Sequence, residues 1–123
     1  MNYGKELILD MHNVKNTKLF TRRGIKKFMI ELCDIIDMER EDLHFWDELY
    51  TPKKDRFTEE HLIGTSAVQF ITTSNITIHT LDVMQRVYLN IFTCKPFNEE
   101  VAIKFCKKWF DGEIIKQRII KRI

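Results

Sequence analysis

Cysteine, proline and glycine are scarce in this chain of 123 residues, which contains three, two and four of them respectively. The cysteines (Cys33, Cys94 and Cys106) are odd in number, widely spaced and without a Cys-x-x-Cys pair, so they indicate neither a disulfide framework nor a metal site. No apolar run has the length of a membrane helix, and the N-terminal segment does not resemble a signal peptide. These absences favour a reduced, cytoplasmic protein without a membrane partner.

An excess of charge of one sign is also missing. The 20 basic and 18 acidic residues leave a net charge of +2, which is too small to indicate nucleic acid or an anionic membrane surface as a partner. The four basic residues between Lys116 and Arg122 are interspersed with isoleucines, a pattern typical of the solvated face of an edge element. A hydrophobic content of 44% is ordinary for a globular core.

Periodicity and capping residues predict two helices. Apolar residues at helical spacing run from about Arg22 to Met38 behind Thr21, a suitable N-cap. A second helix is predicted to begin after Asn98 and to end at Asp111-Gly112. Short apolar or alternating runs predict strands at 7–9, 43–46, 65–71, 76–79 and 87–92, with a surface loop at 51–56. The tail from 113 to 123 fits either a helix face or a strand.

The order of these elements predicts the fold class. A strand, a helix, several strands, a second helix and a tail are typical of an α+β two-layer sandwich, with a largely antiparallel sheet and two main helices packed on one face. The sequence shows no internal repeat, so residues 1–123 are expected to form a single domain. One small sheet has limited means of covering both of its faces, and we therefore expect a homodimer.

Four side chains that can carry chemistry fall within one stretch of predicted strands: Ser66, Ser74, His79 and Cys94. Each also has a purely structural interpretation. Serines are common in strands, a strand histidine usually satisfies a hydrogen bond, and a cysteine ending an apolar strand usually packs as a small hydrophobe. Spacing alone leaves the choice between these interpretations open.

The segment GTSAVQFITTSNITIHT (64–80) resembles the central block of the bacterial and archaeal pyruvoyl-dependent S-adenosylmethionine decarboxylase proenzymes. In that family a serine lies eight positions before the serine of a Glu-Ser-His, which leads into Ile-His-Thr and then Phe-Thr-Cys. Here Phe92-Thr93-Cys94 follows His79 at the family's distance, and Glu6–Asp10 resembles the family's first strand. Relatives of this length are dimers with active sites near the subunit contact.

The resemblance implies self-cleavage between Thr73 and Ser74. The Ser74 hydroxyl attacks the Thr73 carbonyl with the assistance of Ser66, His79 removes the Ser74 α-proton, and hydrolysis leaves a pyruvoyl group derived from Ser74. That cofactor forms a Schiff base with the amine of a small-molecule substrate, and Cys94 matches the family's proton donor. The implied activity is S-adenosylmethionine decarboxylation for polyamine (spermidine) biosynthesis.

The sequence departs from the family's pattern at three places. Thr73 and Asn75 flank the cleaved serine where the family has Glu and His, and Leu81-Asp82-Val83 replaces the Trp-Pro-Glu associated with adenine and ribose. Since a leucine cannot stack on adenine as an indole does, another aromatic residue is needed for that substrate. The candidates are Phe45, Trp46 and Tyr88.

Two other functions remain open at this point. The first is a pyruvoyl-dependent decarboxylase of a basic amino acid, in which Asp82 or Glu60 pairs with the cation of the substrate. The second is an unprocessed, non-catalytic relative that acts by binding. Retention of all four of Ser66, Ser74, His79 and Cys94 argues against the second alternative.

Overall fold

Six strands and two α-helices make up the part of the chain that the computed structural model describes, residues 2–123. They follow in the order β1 (Gly4–His12), α1 (Arg22–Ile35), β2 (Arg40–Trp46), β3 (Gly64–Ile71), β4 (Ser74–Leu81), β5 (Arg86–Thr93), α2 (Glu99–Phe110) and β6 (Glu113–Arg122). Short 3-10 turns lie at Thr17–Leu19, Lys53–Asp55 and Glu60–Leu62. Neither helix in this range has the length and apolar character needed to cross a bilayer.

The strands form one sheet in the order β2-β3-β4-β5-β1-β6, and every neighbouring pair is antiparallel. Buried residues alternate with half-exposed ones along β1, β3, β4 and β5, which shows that one face of the sheet is covered. Both helices pack on that face. The predicted fold, an α+β two-layer sandwich with two helices on one face of an antiparallel sheet, is confirmed. We call the face opposite the helices the open face.

The core lies between the sheet and the helices. Each central strand contributes two or three fully buried apolar side chains, and each helix contributes an apolar stripe at the spacing expected of an amphipathic helix. The largest of these side chains are Phe28, Phe110, Leu7, Leu9, Met11, Ile25, Met29, Leu32, Ile76, Leu89 and Ile91. Removing this apolar surface from water is the main force that holds the helices on the sheet.

Both predicted helix N-caps are present. The Thr21 side chain accepts a hydrogen bond from the amide of Gly24 at 3.0 Å, and Asn98 accepts one from the amide of Val101 at 3.1 Å. Each cap satisfies one of the amides that a helix start leaves without an internal partner.

Helix α1 ends at Ile35, earlier than the predicted Met38. Asp37 adopts a left-handed conformation with φ 57°, and the amide of Met38 donates to the carbonyl of Cys33 at 2.7 Å. This is the Schellman arrangement that closes many helices, here formed with aspartate where glycine is usual. Apolar spacing continues past the true end because Ile36 and Met38 still pack against the core.

The tail, which periodicity left undecided, is the edge strand β6. It pairs with β1 from Gly4↔Arg122 to His12↔Glu113, so β1 is longer than the predicted apolar run at 7–9. The Arg122 guanidinium donates to the Glu6 carboxylate at 3.1 Å across this pairing. This segment forms a strand and not a helix because the free edge of β1 offers hydrogen-bond partners to its backbone.

Candidate active site

The hairpin between β3 and β4 is closed by only two residues. Ile71 pairs with Ser74, which leaves Thr72 and Thr73 as the turn. Thr73 has φ 58°, a conformation that is common for glycine and asparagine and costly for a β-branched residue. The other residues with positive φ are asparagine, aspartate or glutamine, so backbone strain is concentrated at the Thr73–Ser74 peptide.

Ser74 begins β4 with its side chain directed towards the helix layer. It lies on the same face as Ile76 and Ile78 and is only 8% exposed. Its Oγ is buried and has no hydrogen-bond partner among the described residues. A buried hydroxyl without a hydrogen bond is costly, and this one lies beside the strained Thr73 peptide.

Cys94 follows β5 and exposes its thiol beside this turn. Its Sγ lies 3.7 Å from Oγ1 of Thr73. Hydrogen bonds from Thr73 and then from Tyr3 lower the pKa of the Cys94 thiol. The register of β5 thus brings Cys94 against the Thr73–Ser74 junction, although 21 positions separate it from Thr73 in sequence. Thr73, Ser74 and Cys94 form what we call the junction group.

Ser66 and His79 face each other across β3 and β4 on the open face. Ser66 Oγ and His79 Nδ1 are 2.6 Å apart, and the imidazole stacks on Tyr88 with a centroid separation of 6.5 Å. Burial lowers the pKa of His79, so the ring is neutral near neutral pH. In the tautomer whose Nδ1–H donates to Ser66 Oγ, Nε2 presents a free lone pair and is suited to accept a proton.

The four residues singled out in the sequence therefore form two separate groups. Ser74 and His79 are five positions apart on β4, which corresponds to roughly 16 Å along a strand. Their side chains also point to opposite faces, Ser74 to the helices and His79 to the open face. Within one chain the Ser66–His79 pair is too far from the junction group to act on Ser74.

Among the three aromatic candidates, Trp46 is the most accessible. It pairs with Ser66 across β2 and β3, is 52% exposed on the open face, and contacts the ring of Phe57 at 6.3 Å. Phe45 lies on the helix side and packs against the core, while Tyr88 is stacked on His79. The sequence analysis did not identify Phe57, whose only signal in the sequence is an aromatic residue next to a polar loop.

The opposite end of β4 opens on a cavity of about 480 Å³ lined by Arg22, Arg23, Arg56, Asp47 and Asp82. Arg22 binds both oxygens of Asp47 at 2.7 and 2.9 Å, and the Arg22 guanidinium lowers the pKa of that carboxyl. Burial raises the pKa of Asp82. Asp82 lies roughly 26 Å along the strand from Ser74, so this cavity is remote from the junction group.

Comparison with known proteins places these features in a family. The family model described as S-adenosylmethionine decarboxylase matches residues 5–123. The chain belongs to the S-adenosylmethionine decarboxylase family. The crystal structure of the adenosylmethionine decarboxylase from Aquifex aeolicus has the same fold, with a TM-score of 0.77 at 16% identity over 98% of this chain and 91% of that chain. A search of curated proteins finds no match.

Members of the S-adenosylmethionine decarboxylase family generally depend on a pyruvoyl group. The junction group fits its formation from Ser74. Breaking the Thr73–Ser74 peptide relieves the backbone strain at Thr73. The Ser74 hydroxyl has no hydrogen-bond partner and is free to turn towards the Thr73 carbonyl.

Proposed function

We propose that this chain is a self-processing, pyruvoyl-dependent S-adenosylmethionine decarboxylase that supplies polyamine biosynthesis. The junction group is the observation that carries the proposal. A β-branched residue at φ 58° precedes a buried, unpartnered serine hydroxyl, and an exposed thiol lies 3.7 Å from the Thr73 side chain. A protein that acts only by binding has no need for this combination.

Processing begins when Ser74 Oγ attacks the carbonyl carbon of Thr73. The C–O bond forms as the C–N bond breaks, so an ester replaces the strained amide and the Thr73 backbone can relax. A base then removes the Ser74 α-proton and the Thr73 carboxylate leaves. Water releases the former Ser74 amine as ammonia and leaves the pyruvoyl carbonyl at the start of the C-terminal fragment.

A pyruvoyl group formed from Ser74 would supply the electrophilic carbonyl and electron sink that decarboxylation of an amine substrate needs. Cys94 then donates a proton to the substrate carbon. Its exposed thiol beside Ser74 has the right position, and a thiol of lowered pKa exchanges its proton readily near neutral pH.

The base for processing comes from a second copy of the chain in a homodimer. His79 and Ser66 are well arranged for proton transfer but are out of reach of their own Ser74. They lie on the open face, which also exposes apolar side chains: Trp46, Phe70 and Ile120 are 52%, 44% and 43% exposed. Packing of two open faces covers part of this apolar surface, including Phe70 and Ile120, and brings the Ser66–His79 pair of one copy to the exposed side of the other copy's junction group, where Thr73 and Cys94 lie.

Trp46 and Phe57 are our candidates for the adenine of the substrate. Leu81 is only 5% exposed and cannot serve, whereas the Trp46 ring is accessible next to Ser66. A basic amino acid is the poorer substrate, because the cavity around Asp82 balances its carboxylates (Asp47, Glu48 and Asp82) with Arg22, Arg23 and Arg56 and so offers no excess of negative charge to a cationic side chain.

Intact-mass spectrometry of purified protein tests the proposal. We expect two fragments, 1–73 and 74–123, with a pyruvoyl-blocked start on the second, while Ser74→Ala remains one chain. Carbon dioxide release is then measured with S-adenosylmethionine, ornithine and arginine offered separately, and only the first should be consumed. A wild-type protein that stays at full length after long incubation points to the binding function instead.

Mixing two inactive variants tests action across the dimer. Ser74→Ala cannot be cleaved and His79→Ala lacks the base, so each alone should stay uncleaved. After the two are unfolded together and refolded, His79→Ala chains should be cleaved in mixed dimers, up to about half of them for random pairing. No cleavage in the refolded mixture, with dimers present by light scattering, would rule out this arrangement.

A further inference from the structure

The start of β1 packs directly on Cys94. A Cβ atom added at Gly4 would lie 2.7 Å from the Cα of Cys94 and 2.3 Å from the carbonyl oxygen of Thr93. Only glycine allows so close an approach of the two strands. The approach places the preceding residue, Tyr3, beside the thiol, and Tyr3 and Cys94 line the same cavity of about 350 Å³.

Tyr3 is held in this position by contacts at both ends. Its amide donates to the carbonyl of Arg122 at 2.7 Å, and its ring stacks on Phe92 with a centroid separation of 6.3 Å and an interplanar angle of 27°. The ring is 54% exposed, and these two contacts fix it at the cavity that Cys94 also lines.

We propose that Tyr3 is a positioning residue for Cys94, whose hydroxyl donates a hydrogen bond to Sγ and holds the sulfur next to the Thr73–Ser74 junction. The inference rests on the proposed function only in giving Cys94 a proton to transfer. The directions of both pKa shifts agree with it: contact with Cys94 raises the pKa of the Tyr3 phenol, and Tyr3 helps to lower that of the Cys94 thiol.

After cleavage, Tyr3 contributes more than Thr73 to holding the Cys94 sulfur in place. In the uncleaved chain Thr73 Oγ1 lies 3.7 Å from the sulfur, and Tyr3 lines the same cavity as Cys94. After cleavage Thr73 becomes a chain end with a new carboxylate, whose charge opposes the thiolate. Tyr3 remains paired within the sheet and links the N-terminal fragment to Cys94 of the C-terminal fragment. It is then the neutral donor that keeps the sulfur in place.

The rate of alkylation by iodoacetamide as a function of pH measures the effect directly. Only Cys94 should react in the folded protein, because Cys33 and Cys106 are buried and burial raises the pKa of Cys33 to about 11. In Tyr3→Phe, which keeps the stacked ring, the inflection should move to higher pH. Alkylation at neutral pH should slow by about fivefold, the factor that corresponds to one ordinary hydrogen bond.

Tyr50→Phe is the matched control, because Tyr50 is 84% exposed and remote in sequence from Cys94, and its profile should equal that of the wild type. The same shift should appear when Ser74→Ala is combined with Tyr3→Phe, which separates this inference from processing and decarboxylation. In cleaved protein, Tyr3→Phe should lower kcat and leave KM unchanged. Identical alkylation profiles for Tyr3→Phe and wild type, with Cys33 and Cys106 still unreactive, would overturn the inference.

Discussion

The two ends of strand β4 differ in what surrounds them. At the Ser74 end, small side chains meet in a tight turn, and hydrogen bonds lower the pKa of Cys94. At the Leu81 end, Asp82 faces a cavity lined by arginines, and burial raises its pKa. Both ends depart from the family's sequence pattern: Thr73 and Asn75 flank Ser74 at the first end, and Leu81-Asp82-Val83 stands at the second. The groups suited to bond-making chemistry therefore lie at one end of β4, and a charged cavity lies at the other.

The connection at the second end is a long loop that precedes β3. Residues 47–63 cover this end, anchored by the Arg22–Asp47 ion pair and by a hydrogen bond from the amide of Asp82 to the carbonyl of Ile63 at 3.0 Å. The turn at the Ser74 end has only two residues, and any insertion there would shift the pairing of β3 with β4.

Of the changes that distinguish the two ends of β4, Cys94→Ala at the Ser74 end is expected to have the largest effect on activity. Self-cleavage should continue, since it uses Ser74, Ser66 and His79, but carbon dioxide release should fall by about 10²–10⁴-fold, the usual cost of losing a positioned acid. In some turnovers the proton should go to the pyruvoyl carbon instead of the substrate carbon, which leaves the cofactor aminated. Cys106→Ala is the control, since its buried thiol is remote from the turn. Normal turnover in Cys94→Ala would make Cys94 a structural residue.

Trp46→Ala addresses recognition without touching the turn. Loss of a base-stacking ring should reduce kcat/KM for S-adenosylmethionine by about tenfold to a hundredfold. Cleavage measured by mass should be unchanged, and Trp46→Phe should recover most of the activity. If Trp46→Ala turns over normally and Phe57→Ala does not, Phe57 alone holds the adenine.

The pH dependence of cleavage reports on His79. The base must be neutral to accept the Ser74 α-proton, and burial lowers the pKa of His79. Cleavage should therefore be constant at neutral pH and fall about tenfold per pH unit only below the usual histidine range of about 6.5. A gel time course of freshly refolded protein measures it. An inflection above that range would contradict a burial-lowered His79 as the base.

The smallest effect concerns the turn itself. Thr73→Asn places a residue that tolerates positive φ at the strained position. In the uncleavable Ser74→Ala background it should raise the free energy of unfolding in urea by about 1 kcal/mol, and in the cleavable chain it should slow cleavage about fivefold. Thr72→Asn should show neither change. A faster cleavage in Thr73→Asn would show that strain does not drive processing.

Local signals in the sequence were sufficient for most of the elements. Thr21 and Asn98 cap the helices as predicted because a cap depends on neighbours within one turn. The end of α1 was misjudged because aspartate, not glycine, takes the left-handed position at Asp37. The tail could not be assigned, since its choice of strand depends on the free edge of β1, more than 100 positions away in sequence.

The sequence by itself determined the α+β class, the antiparallel sheet and the motifs that resemble the family, because periodicity, caps and motif spacing are properties of short segments. Only the tertiary structure decided how the four singled-out residues divide. The register of β5 brings Cys94 to Thr73, and the length and alternation of β4 keep His79 from its own Ser74. Distances between strands and the faces of a sheet arise from long-range pairing, which no local pattern encodes.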